Sequence, residues 1–318
     1  MLKWRCTPAK PQATTKSRPD AGTKQKGIVM EDQAWMASAT DKRGGNQTLP
    51  SSVTIPRLSW RNGAFSAGSR VIAEEMPVAF SYNRLAHAVM MATPADLEDF
   101  ATGFTLNERI VGSLSEIEEV EIVTLPDESG IELRLWIASD RLGMLETRRR
   151  RIAGPTGCGM CGLESLQEAI GHPGIPVPEG SVFEADSVLT AMASLRPAQH
   201  LNQKTRAVHA AGFFRPGEGL LALREDVGRH NALDKLAGAL AVAGEDAACG
   251  MLVLTSRISV ELVQKAQRMG VTILAAMSAP TALAIRSAER AGITLIAVAR
   301  DDGFELCTHP GRIRQANA

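Results

Sequence analysis

The chain has no net charge, no long apolar run and few cysteines, and each absence removes a class of protein. Its 318 residues hold 35 Lys and Arg against 35 Asp and Glu, so no global field points to nucleic acid as a partner. No stretch reaches the roughly 18 apolar residues of a membrane span, and the basic N-terminus lacks the apolar core of a signal peptide. The expectation is a cytoplasmic protein without a membrane partner. Walker A and Gly-x-Gly-x-x-Gly sequences are missing, which removes the P-loop and dinucleotide-fingerprint explanations. The five cysteines, Cys6, Cys158, Cys161, Cys249 and Cys307, are odd in number and, one pair apart, scattered; this fits a reducing compartment rather than a disulfide framework. Cys249 and Cys307 are flanked by strand-like apolar runs and read as inert core residues.

What is present is enough apolar residue, 44% of 318, to build two packed domains. Residues 1–50 are rich in Lys, Thr, Pro, Gln and Gly without periodicity and read as a disordered tail. Residues 51–151 form a small α+β domain. Strands are expected at Val53–Trp60, Met76–Tyr82, Ala86–Met91, Glu118–Leu125 and Ile131–Ile137, with a helix from Thr93, its N-cap, through Pro94 to Phe100. Residues 152–180 form a cysteine loop and linker. Residues 181–318 form a larger α/β domain: helix Ala185–Leu195, a hairpin of Ala207–Phe214 and Gly219–Arg224, then helix Arg229–Ala243, strand Met251–Thr255, helix Ser259–Met269, strand Val271–Met277, helix Thr281–Ala291 and strand Ile293–Ala299. That alternation implies right-handed crossovers and a largely parallel sheet.

The first candidate for chemistry is the loop Gly157-Cys158-Gly159-Met160-Cys161-Gly162, which follows the run Arg148 to Arg151. Flanking glycines leave the thiols uncrowded, and a helix expected from Leu163 puts Cys161 near a helix N-terminus. There the dipole and neighbouring guanidiniums favour thiolate. A redox dithiol and a structural zinc half-site are the competing readings. Zinc would need two more ligands, from His172 or a second protomer, because no second Cys-x-x-Cys exists.

The second candidate is the pair of polar turns that end adjacent expected strands, one around Arg257 and Ser259, the other around Ser278 and Thr281. Helix N-termini at the carboxyl ends of α/β strands suit phosphate, and Arg257 adds a bidentate donor. Ordinary capping by Ser256, Ser259, Ser278 and Thr281 is the plainer account. The third is the dense polar stretch Arg224 to Lys235, with Arg224, Asp226, Arg229, His230 and Asn231 where a strand meets a helix. It reads either as a solvated, ion-paired helix face or as recognition of a polar ligand.

Five stretches in order, AHAVMMATPADLEDFATGF from Ala86, GCGMCG from Gly157, REDVGRHNALDK from Arg224, TSRISVELVQKA from Thr255 and AAMSAPTALA from Ala275, resemble the FdhD proteins, the formate dehydrogenase accessory sulfurtransferases. The resemblance runs from about residue 53 to the C-terminus. It implies a cytidine-deaminase-like, three-layer α/β larger domain and a sulfurtransferase that accepts persulfide sulfur from a cysteine desulfurase. The sulfur passes to the molybdenum cofactor in its bis-guanine-dinucleotide form, a bound substrate, for formate dehydrogenase; no tightly held metal is expected. Cys158 and Cys161 would carry the activity, and a homodimer is a candidate assembly. One departure is Arg206, where many relatives have glycine. Deamination is excluded by order and identity: the cysteines precede His209, and Ala211 stands where the proton-shuttling glutamate is required. A cofactor-binding chaperone without sulfur chemistry and a zinc-bridged structural protein are the alternatives.

Overall fold

The computed structural model describes residues 49–126, 129–141, 143 and 176–315. The expected tail, the cysteine loop with Cys158 and Cys161, and the run Arg148 to Arg151 lie outside the described residues. In chain order the strands are β1 (Ser52–Arg61), β2 (Ala64–Ala73), β3 (Met76–Tyr82), β4 (Leu85–Ala92), β5 (Ile117–Thr124), β6 (Ile131–Ile137), β7 (Phe183–Glu184), β8 (His209–Arg215), β9 (Gly219–Asp226), β10 (Met251–Leu254), β11 (Ile273–Ala276), β12 (Thr294–Arg300), β13 (Gly303–Leu306) and β14 (Ile313–Arg314). The helices are α1 (Leu97–Asn107), α2 (Ala185–Ala198), α3 (His200–Thr205), α4 (Arg229–Ala243), α5 (Val260–Arg268) and α6 (Ala282–Ala291).

Two sheets organise the chain. The first has the order β4-β3-β6-β5. Strict alternation along β6 buries Ile131, Leu133, Leu135 and Ile137 on one face, as period-2 patterning requires. These pack with Val78, Phe80 and Tyr82 of β3 against Phe100 and Phe104 of α1. The second sheet has the order β13-β12-β11-β10-β8-β9. Its central strands β10 and β11 are buried along their whole length, because helices cover both faces. Leu233, Leu236 and Leu240 of α4, with Leu262 and Val263 of α5 and Ala284 and Ala288 of α6, pack on one face. Val188, Ala191, Met192 and Leu195 of α2 pack on the other. The result is the expected three-layer α/β arrangement. Strands β10, β11 and β12 are parallel, while β8 and β13 run against their neighbours. The short pair β7 and β14 is parallel.

Several expectations change at the residue level. Thr93 does not cap α1, which starts at Leu97 behind Asp96 in a left-handed conformation, φ 53°. Thr93 instead accepts from Val227 N through Oγ1 at 3.2 Å, a tertiary tie that outcompetes the local cap. Of the four hydroxyls read as caps, Thr281 accepts from Ala284 N at 3.2 Å; Ser259 occupies the cap position of α5 without a capping bond of its own. Cys249 is exposed rather than core. Arg206 closes α3 at φ 59°, the region where glycine is unstrained.

Candidate functional site

Because β8 runs antiparallel to β10, and β9 antiparallel to β8, β9 points the same way as β10, β11 and β12. Strands β9, β10 and β11 each lead into a helix, so the N-termini of α4, α5 and α6 open on one edge of the sheet. The start of β8 lies there too, with His209 opposite Asp226. Backbone bonds hold the turns together: Thr281 N donates to Ile258 O at 3.0 Å, Met277 N to Leu254 O at 3.0 Å and Thr255 N to Ala210 O at 3.1 Å. A parallel bridge between Ile258 and Pro280 joins the two polar turns. Three converging helix N-termini make an electropositive edge suited to an anionic ligand.

The residues expected to bind a ligand fall into two groups. Arg229, His230, Arg257, Ser259, Ser278 and Thr281 gather along the carboxyl edge. Arg257 is exposed and has no ion-pair partner among the described residues. The Nε atoms of Arg229 and Nε2 of His230 are buried without a hydrogen-bond partner among the described residues. Such orphaned polar atoms are costly unless a ligand or water meets them.

Arg224, Asp226 and Asn231 face inward, toward α1 and the loop before it. Arg224 Nε donates to Asp99 Oδ2 at 2.7 Å, in the acidic first turn of α1. Asp226 is fully buried. Its Oδ2 accepts from Thr93 N at 3.0 Å and pairs with Lys235 Nζ at 2.7 Å. Its Oδ1 accepts from Gly228 N at 2.7 Å and Asn231 Nδ2 at 2.9 Å. Asn231 also donates to Met91 O at 2.8 Å, and Lys235 to Thr93 O at 2.9 Å.

A second buried cluster sits one turn along α4. Asp234 accepts from Lys265 Nζ at 2.7 Å and from Asn107 Nδ2 at 2.8 Å. Burial alone would pull Lys265 down, but Asp234 and Glu108 together raise its pKa, so the ammonium is held charged. Of the two readings of this stretch, burial overturns the solvated helix face. Residues 231–238 are all buried, and the charges between Leu233, Leu236 and Leu240 clamp α4 to α1 and α5. Sequence reading placed Asp234 and Lys235 in the polar stretch and Thr93 at a cap without seeing this role, and missed Lys265 and Asn107. The available signal was a lysine and an aspartate inside an otherwise apolar helix, since such residues are almost never buried unless paired.

Electrostatics separate the imidazoles and the thiols. Burial, reinforced by Arg229 and Lys265, lowers the His230 pKa to about 4, and burial with Arg229 also lowers His209. Both rings are neutral at pH 7, and Arg229 holds the positive charge between them. For His230 the folded pKa lies below the unfolded value, so the unfolded chain binds the extra proton between about pH 6.5 and 4. Stability is therefore full above that window and falls as pH drops through it, by about 3 kcal/mol for this residue. Urea unfolding of His230→Gln, compared with the parent between pH 7.5 and 4.5, is expected to show a correspondingly flatter decline. The thiols of Cys249 and Cys307 are held from ionising: a bond to Asp246 raises the pKa of the first and burial that of the second.

Among the described residues no group of three or more His, Cys, Asp and Glu side chains is arranged to hold a metal ion, and no helix is long and apolar enough to cross a membrane.

The comparisons agree with one another. The sulfur carrier protein FdhD of Agrobacterium fabrum is 50% identical over 260 residues, covering 81% of this chain and 95% of that protein. The protein of the same name from Brucella abortus is 54% identical over 259 residues, 81% of this chain and 96% of that protein. A crystal structure of a proposed formate dehydrogenase accessory protein from Desulfotalea psychrophila superposes with a TM-score of 0.64 at 23% identity, over 83% of this chain and all of that one; it shares the fold. The sequence profile of the FdhD/NarQ family matches residues 73–314, which takes in the four-stranded sheet, the cysteine loop and the carboxyl edge with its three helix N-termini. With that span matched and half the residues identical to proteins of this kind, the chain belongs to the FdhD/NarQ family.

Proposed function

We propose that this protein is a sulfur carrier that takes persulfide sulfur from a cysteine desulfurase and transfers it to the molybdenum cofactor, in its bis-guanine-dinucleotide form, for formate dehydrogenase. The relatives at 50% and 54% identity are sulfur carrier proteins, which supports the sulfur chemistry. The observation that supports the cofactor half is the carboxyl edge of the sheet, along which lie three helix N-termini, the free guanidinium of Arg257 and the orphaned Nε of Arg229.

In this reading, the thiolate of Cys158 or Cys161 attacks the outer sulfur of the desulfurase persulfide. A new S–S bond forms on the carrier, the desulfurase thiolate leaves, and no net oxidation occurs. The cofactor is the acceptor in the next step. Its phosphates are held by Arg229, Arg257 and the N-terminal N–H groups of α5 and α6, with Ser259, Ser278 and Thr281 alongside. His209 and His230 stay neutral, so Arg229 rather than an imidazolium supplies the positive charge at the start of α4. Arg224, Asp226 and Asn231 act indirectly, by fixing Gly228 and the start of α4. The working organisation is a small α+β domain at 51–151, the cysteine loop and linker at 152–180 and the α/β domain at 181–318, in the cytoplasm.

Calorimetric titration with guanosine diphosphate tests the cofactor half. Arg257→Ala is expected to weaken binding about tenfold, the worth of one charge-assisted contact, and to reduce its salt dependence. Equal affinity in the two proteins would move the phosphate site away from this edge.

A further inference from the structure

β1 and β2 form an antiparallel ribbon closed by Asn62 and Gly63 at φ 52° and 78°. Its base is tied to α3, where Arg70 Nη2 donates to Thr205 O at 3.4 Å. A cavity of about 270 Å³ opens there, lined by Ser51 before the ribbon, Asp96 at the start of α1, His200 and Lys204 of α3, and Glu225 of β9, the outer strand of the larger sheet. Ala198, Leu201 and Leu223 supply apolar wall. The volume is that of about nine liquid waters at about 30 Å³ each, room for a ligand of a few non-hydrogen atoms.

The charged groups of this cavity differ in whether they already have work. Glu225 is committed: its Oε1 accepts from Asn202 N at 2.8 Å and its Oε2 from Leu201 N at 2.7 Å, so the first turn of α3 is capped. Asp96 is not. An aspartate at a helix N-cap ordinarily has an extended backbone and accepts from the first-turn N–H groups. Here φ 53° and ψ 42° turn the carboxylate out of that geometry, and no capping bond forms. Arg224 Nε stands 3.7 Å from Asp96 Oδ1, beyond hydrogen-bond distance, and donates to Asp99 instead. His200 and Lys204 are exposed and have no side-chain bond or ion pair among the described residues. Between the lining residues Ala198 and His200, Gln199 is 6% exposed and its Nε2 is unpartnered among the described residues, a costly state unless a bound molecule or water meets it.

We propose that this cavity binds a small zwitterion, an α-amino acid with a short side chain, its ammonium on Asp96 and its carboxylate on Lys204 and His200. The charges decide the class of ligand. A phosphate or other simple anion would meet the Asp96 carboxylate, and a simple amine would meet the Lys204 ammonium; a molecule that carries both charges complements both. The apolar wall of Ala198, Leu201 and Leu223 suits a short aliphatic or hydroxyl side chain, and the volume excludes the larger amino acids. The cavity lies where the segment leading into α1 meets α3 and β9, and such junctions are where ligand pockets concentrate. A ligand held there bridges the two parts of the chain and therefore favours the folded state by mass action. None of the residues that line it belongs to the carboxyl edge, so this site stands apart from the proposed sulfur and cofactor chemistry.

Thermal unfolding of the full chain in the presence of L-alanine or L-serine tests the proposal. The melting temperature is expected to rise with concentration of at least one of the two and to saturate, with a dissociation constant of about 1 mM, as befits so few contact atoms. Propionate and ethylamine, which carry one of the two charges each, should bind at least about tenfold more weakly. Asp96→Asn keeps the shape of the side chain and tolerates the left-handed backbone, and Lys204→Met keeps the apolar stem. Each is expected to raise the dissociation constant for the amino acid about tenfold while leaving the urea midpoint without ligand close to that of the parent, which separates lost binding from lost folding. No saturable rise with either amino acid, equal affinity in the parent and both variants, or propionate or ethylamine binding as tightly as the amino acid overturns the proposal.

Discussion

Replacing Cys158 and Cys161 together by alanine abolishes the ability of the protein to restore formate dehydrogenase activity in a strain that lacks it. The expected loss is complete, because the transferred sulfur must sit on a thiolate and no other cysteine on the described scaffold can substitute. Cys249 bonds to Asp246 at 3.4 Å, and Cys307 is half-buried; both thiols have raised pKa values. Either single substitution should retain part of the activity if one thiol accepts sulfur and the other assists its release. The double variant should keep its guanosine diphosphate affinity, because its carboxyl edge is intact. Full activity in the double variant would leave the cofactor-binding chaperone as the better account.

Gly238→Ala should destabilise the fold by about 3 to 5 kcal/mol, at the upper end of what overpacking costs. Helices α1 and α4 approach so closely that a Cβ at Gly238 would stand 2.0 Å from Asp99 O, and one at Gly103 would stand 1.8 Å from Asp234 O. Neither obstacle is a flexible side chain, so the helices must separate. Separation stretches the Asp234–Asn107 bond that crosses between them and the Lys235–Thr93 bond from α4 to the loop before α1. The sign is the diagnostic: helix propensity alone predicts that glycine to alanine within a helix stabilises by about 1 kcal/mol. A urea midpoint for Gly238→Ala at or above that of the parent would show that the contact does not hold the two helices as described.

Strand β6 and helix α4 were legible to the residue, because unbroken alternation in Ile131–Ile137 and the Leu233, Leu236, Leu240 stripe leave one assignment each. The alternation of β10, α5, β11, α6 and β12 likewise carried the sheet and, through it, the meeting of the Arg257 and Ser278 turns. The ribbon's second strand was lost although Asn62-Gly63 is a strong hairpin signal, because Ala64–Ala73 is too poor in large apolar residues to register as a strand. The cap at Thr93 failed for a different reason. Its hydroxyl is used 134 residues away, at Val227, and local propensity holds no information about that partner. The same limit hid the role of Asp226 and Asn231, whose residue types suit a ligand as well as a buried clamp; burial alone separates the two uses.

The central claim is that sulfur resides on the loop cysteines, and peptide mass spectrometry tests it most directly. The protein is mixed with a cysteine desulfurase, pyridoxal phosphate and cysteine, and thiols are then trapped with an alkylating reagent. A gain of one sulfur on the peptide containing Cys158 and Cys161, reversed by reductant and absent without cysteine, is the predicted result. An unmodified peptide, with the desulfurase shown to be active in the same tube, would contradict it.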